Sequence, residues 1–128
     1  MAAASNSDAV IVLTTLGAGT DAAALARVLV AERLAACVNV LPVMTSVYRW
    51  EGRVEEDREQ QLVIKTAETR VAALAARIRT LHPYAVPELL VIRASDGSED
   101  YLRWIHDSVA PGEPGSLEEP QDQKAADQ

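Results

Sequence analysis

The chain has 128 residues, a net charge of −7 and a single cysteine. One domain is the prior at this length, and one cysteine excludes an intrachain disulfide and fits a reducing compartment. The tail beyond Ser108 holds five acids against Lys124, so most of the negative charge lies there; the remaining body has 11 basic and 14 acidic residues. A body of that balance lacks the clustered Lys and Arg that phosphate binding needs, which disfavours nucleic acid as a partner.

The N-terminus has no basic start followed by an apolar core, and no apolar run approaches the roughly 18 residues of a membrane span. A cytoplasmic protein that uses no membrane is expected. Residues 1–7 and 109–128 lack an apolar pattern and are expected to be disordered, with an acidic tail that aids solubility. The folded body then runs from 8 to 108. It has no Phe and is rich in Ala, which occurs 22 times in the chain. Such a core buries modest area per residue, so association of subunits is an early consideration.

Residues 9–14 form a short apolar, β-branched run that reads as a buried strand. Gly17 and Gly19 end it, and Thr20 can cap a helix over about 22–34, with Leu25, Val28 and Leu29 on one face. Residues 36–50 are β-rich but interrupted by Pro42, which points to an edge or a bulge. Glu51-Gly52 reads as a tight hairpin turn, and the return strand covers 53–66. Thr66 can cap a second helix, in which Val71, Leu74, Ala75, Ile78 and Leu81 share one stripe. His82-Pro83 ends it, because the residue before Pro avoids the helical region. A fourth strand at 88–93 and a short helix at 99–107 complete the chain.

This order is α+β, specifically the ferredoxin-like βαββαβ arrangement with a long central β-hairpin and a short C-terminal helix. Two helices are expected to cover one face of an antiparallel sheet. The hairpin strands, at 14 to 15 residues, span roughly 45–50 Å at ~3.3 Å per residue, about twice the first and last strands. The hairpin must overhang the sheet or bend at Pro42, and an overhanging edge invites pairing with another chain.

Five segments carry a resemblance: Arg33-Leu34-Ala35-Ala36-Cys37-Val38-Asn39, Ser46-Val47-Tyr48-Arg49-Trp50-Glu51-Gly52, Leu62-Val63-Ile64-Lys65-Thr66, His82-Pro83-Tyr84-Ala85-Val86-Pro87-Glu88 and Tyr101-Leu102-Arg103-Trp104-Ile105. In this order they resemble the CutA family of divalent-cation-tolerance proteins, and they cover nearly the whole body. The resemblance implies a homotrimer whose sheets join through the long hairpin, with an architecture similar to the PII signalling proteins. It also implies binding of copper or another divalent metal, and no catalytic reaction.

Cys37 opens the second strand; it is either a small buried apolar residue or a soft-metal ligand. His82 either satisfies the helix end or ligates. The resemblance favours the ligand reading for both, and Glu59 matches an acidic position of the family pattern. A Cys-His-carboxylate set suits Cu(II) or Zn(II) better than Mg(II). Some members carry Cys where this chain has Thr14, and a second His where it has Leu81. Both replacements remove strong ligands, so weak divalent-metal binding through Cys37, His82 and Glu59 is expected.

Trp50, Tyr84 and Trp104 fall in the same motifs and, with Lys65, suggest a cleft between subunits. A second reading is therefore a PII-like regulator that holds a small anionic ligand there, with Lys65 as its partner. Residues 16–19 lack the Lys and spacing of a phosphate loop. No Ser or second Cys stands in a nucleophile motif with His82 and an acid, so an enzyme is not expected.

Overall fold

The computed structural model describes residues 8–82, 84 and 86–112. The segments 1–7 and 113–128, expected to be disordered, lie outside the described residues. The elements are β1 (Ala9–Gly17), α1 (Ala22–Ala31), β2 (Cys37–Val40), β3 (Met44–Trp50), β4 (Arg53–Ala67), α2 (Val71–Leu81), β5 (Leu90–Arg93) and α3 (Glu99–Val109). The strands form one antiparallel sheet in the order β2-β4-β1-β5, with β3 also paired to β4. This is the ferredoxin-like arrangement that the element order predicts.

Strict alternation along β1 and β4 assigns each side chain to one of two faces. Val10, Val12, Leu16, Leu62 and Ile64 point to one face, where Leu25 and Leu29 of α1 and Leu74 and Ile78 of α2 close over them as the main core. On the opposite face α3 covers one end only, where Ile105 and Val109 pack with Ala9, Ala36 and Ala67. Val109 is thus buried, and the folded body extends past the expected boundary at 108. The Ala110 carbonyl beyond it accepts a hydrogen bond from Arg33.

Two capping expectations shift. Asp21, not Thr20, caps α1, its carboxylate accepting from the Ala24 N–H at 3.1 Å. Thr66 stays in β4, where its buried hydroxyl donates to the Leu34 carbonyl at 2.8 Å. A short 3-10 turn at Glu68–Arg70 then leads into α2, which begins without a side-chain cap.

The hairpin holds the detail that matters for function. Val40 pairs with Leu62 and Met44 with Glu59, so four steps on one strand match three on the other. The extra residue falls at the break around Pro42, which has no N–H to give to the ladder. A slip of one residue exchanges the faces of everything after it. Before the break Cys37 and Asn39 share a face with Lys65 and Val63; after it Met44, Ser46, Tyr48 and Trp50 share that same face with Glu59. Positive φ at Glu51 (50°) and Gly52 (82°) closes the hairpin in the mirror-image turn that suits twisted strands. Residues 53–57 pair with β3 alone, so the ribbon overhangs the rest of the sheet by roughly 15 Å at ~3.3 Å per residue.

Candidate ligand cleft and metal residues

The open face has three zones. α3 covers one end, and there the Lys65 ammonium lies 5.9 Å from the centre of the Tyr101 ring, which neighbours Trp104. The middle carries Ile11, Leu13, Val63, Leu90 and Ile92 at one-face register positions, with Leu90 55% and Ile92 48% exposed. The other end is a cleft of about 790 Å3, between the ribbon and Tyr84, Val86, Pro87 and Glu88.

Tyr48, Trp50 and Tyr84 give this cleft aromatic walls, and Asp57, Glu59 and Glu88 give it carboxylates. The Tyr48 hydroxyl donates to Asp57, and the Tyr84 hydroxyl donates to Glu59 at 2.9 Å. Both tyrosines resist ionisation. Donation to Asp57 is the main cause for Tyr48, which is pushed up to about 12. For Tyr84, also about 12, burial comes first and the bond to Glu59 second. Gln61 donates to the Thr14 carbonyl at 2.8 Å and to Glu88 at 3.4 Å, which ties the cleft floor to β1.

His82 supports this arrangement. It is buried at the end of α2, with Nε2 2.6 Å from the Thr15 carbonyl and Nδ1 accepting the Tyr84 N–H at 3.1 Å. Those partners fit the Nε2–H tautomer and occupy both ring nitrogens, so no lone pair is left for an ion. The His82 and Tyr84 rings also pack at 4.7 Å. His82 thus pins Tyr84, and Tyr84 holds Glu59.

The expected Cys37-His82-Glu59 ligand set does not close within one chain. Glu59 and His82 are linked through Tyr84, but Cys37 pairs with Lys65, six residues along β4 from Glu59 and roughly 20 Å away. Among the described residues, no group of three or more His, Cys, Asp or Glu is placed to share an ion. The expected cleft of Trp50, Lys65, Tyr84 and Trp104 divides in the same way. Trp50 and Tyr84 line the cavity, while Lys65 and Trp104 stand beside Tyr101 at the far end of the face. Thr14 points into the core beneath the helices, fully buried, and so does not face the cleft.

The sequence reading missed Tyr48, Asp57 and Glu88 as parts of one cavity. Their signal was the one-residue slip at Pro42, which brings Tyr48 and Trp50 round to the face of Glu59.

A ferredoxin-like sheet with a long overhanging ribbon and a polar, aromatic cleft defines the class of protein. The profile of the CutA1 divalent ion tolerance protein family matches residues 10–108. The chain belongs to this CutA family. It is 43% identical over 99 residues to the divalent-cation tolerance protein CutA of Thermus thermophilus, covering 77% of this chain and 96% of that one. A Yersinia pestis protein of the same name is 44% identical over 107 residues, covering 84% and 90%. The crystal structure of CutA from Xylella fastidiosa superposes with a TM-score of 0.78 at 42% identity, over 81% of this chain and all of that chain.

Proposed function

We propose that this protein is a non-enzymatic, trimeric binding protein of the divalent-cation response, with copper or another divalent ion as its cargo in the cytoplasm. The observation that carries the reading is the bare middle of the open face, where Leu90 and Ile92 are half exposed on β5, an edge strand. An apolar sheet face beside an unpaired edge is a surface that association covers. The overhanging ribbon supplies further unpaired backbone for a neighbouring copy.

In a closed head-to-tail ring each contact sets two different patches of neighbouring copies together. That arrangement suits a chain whose donors lie at opposite ends of one face. Cys37 of one copy would meet Glu59 of the next, with His82 acting through Tyr84 to hold the carboxylate. A thiolate in the set favours Cu or Zn over Mg. The relatives' shared name, divalent-cation tolerance protein, supports an ion as the cargo.

Light scattering should give three times the chain mass, and calorimetry should show Cu(II) binding that Cys37→Ser and Glu59→Gln each weaken. A single-chain mass at micromolar concentration, or Cu(II) binding unchanged in both variants, rejects the proposal. The alternative is a small anionic ligand held between copies, for which Lys65 of one copy would have to reach the cleft of the next, since within one chain it lies outside that cleft.

A further inference from the structure

The geometry points to an organic cation, a compact alkylammonium or alkylguanidinium group, as the small ligand that the cleft itself selects. Its volume of about 790 Å3 falls within the range of small-molecule sites, roughly 300–1,000 Å3. Three features of its lining decide the charge and chemistry of the occupant.

First, Glu59 is only 9% exposed, and its one hydrogen-bond donor among the described residues is the Tyr84 hydroxyl. A carboxylate withdrawn from water with a single neutral donor favours a positive partner. Second, none of Asp57, Glu59 and Glu88 forms an ion pair among the described residues. Arg58 borders the cleft, but it pairs with Thr45 at a register position whose side chain alternates to the opposite face. Third, the walls beside these acids are the rings of Tyr48, Trp50 and Tyr84. Aromatic faces attract weakly hydrated organic cations and contribute nothing to the oxygen shell that a hard metal ion needs.

The tyrosines also set the direction of binding. Each hydroxyl takes up one carboxylate, Tyr48 that of Asp57 and Tyr84 that of Glu59. The remaining lone pairs of those carboxylates then accept N–H groups from the ligand, while its carbon atoms lie against the rings. A carboxylate or phosphate in the same place would meet three like charges, with Arg58 at the border as the one cation among the described lining residues.

The inference rests on the cleft and not on the metal reading. Absence of Cu(II) binding leaves it standing, and loss of ammonium binding leaves the Cu(II) titration to be judged separately. Calorimetric titration of the full chain in its native assembly should show binding of n-butylammonium and butylguanidinium, and none of butyrate. Glu59→Gln keeps an acceptor for Tyr84 but removes the charge, and should weaken both cations about tenfold. Trp50→Leu, at a half-exposed position beside the hairpin turn, should weaken them severalfold with circular dichroism unchanged. The inference fails if the wild-type protein binds neither cation, if butyrate binds as tightly, or if both variants bind like the wild type. Glu59→Gln dissociating the oligomer without altering cation binding would also overturn it, assigning the cleft to a neighbouring copy.

Discussion

The two faces of the same sheet are both apolar in sequence and differ in what covers them. On β1, Val10, Val12, Thr14 and Leu16 are sealed under α1 and α2, whereas Ile11, Leu13 and Thr15 on the other face are only half-buried. Opposite them on β4, Leu62 and Ile64 are sealed and Val63 is not. Burial of the first set drives folding. Apolar area on the second set stays half-exposed in the single chain, and the proposed assembly would cover it. A continuous apolar strand therefore marks two jobs at once, and alternation separates them only when the covering elements are known.

The largest effect expected from this contrast lies on the covered face. Leu74→Ala, at a fully buried position between α2 and the sheet, should destabilise by about 2–5 kcal/mol in chemical denaturation. That is a large share of the roughly 5–15 kcal/mol that holds a typical domain. On the open face, Ile92→Asp should act on assembly. Light scattering should fall toward the single-chain mass while the far-ultraviolet dichroism keeps its native shape. Unfolding of Ile92→Asp together with dissociation would mean that the two faces do not divide the work, and that the chain folds only as it assembles.

Much of the fold was legible because its signals are local. Short apolar, β-branched runs gave the strands, the 3.6-residue stripe from Val71 to Leu81 gave α2, and Glu51-Gly52 gave the turn. The caps were misread because Thr20 and Asp21 are both good capping residues, and backbone geometry selects between neighbours. At Thr66 the hydroxyl found a tertiary partner, Leu34, that local sequence does not reveal. The site was less legible because its distances depend on register. That Cys37 lies opposite Lys65 and Met44 opposite Glu59 is a property of strand pairing, and the slip at Pro42 changes which side chains meet. His82 was read as either a ligand or a helix terminator. Its two ring contacts, to Thr15 and Tyr84, make it a support for the cleft.

Two buried threonines on the covered face sharpen the comparison further. Thr66 donates to the Leu34 carbonyl, while the Thr14 hydroxyl has no partner among the described residues. Replacement by the near-isosteric Val should therefore have opposite signs. Thr66→Val removes a bond and leaves the Leu34 carbonyl short of a donor, at a cost of about 1–3 kcal/mol. Thr14→Val removes a desolvated hydroxyl and should stabilise by up to about 1 kcal/mol. Denaturant midpoints of the two variants, measured side by side, test the pair. A loss in both would show that Thr14 has a donor or acceptor within the assembled protein.

The smallest effect concerns ionisation on the open face, and its pH dependence begins only in the alkaline range. Tyr48 and Tyr84 are both raised from 10.0 to about 12, so the fold favours their protonated forms. The unfolded chain gives up these protons first as pH rises. The contribution is fully present below 10, and is lost as pH climbs through that value toward about 12. Ultraviolet titration of phenolate should show the two late ionisations, and charge-removing variants should separate their causes. Asp57→Asn removes the main cause acting on Tyr48 and should bring it most of the way back. Glu59→Gln should move Tyr84 less, because burial is the first cause there and survives the substitution. Equal recovery of both tyrosines would mean that Tyr84 is governed by its carboxylate, and that the cleft is wetter than its geometry implies.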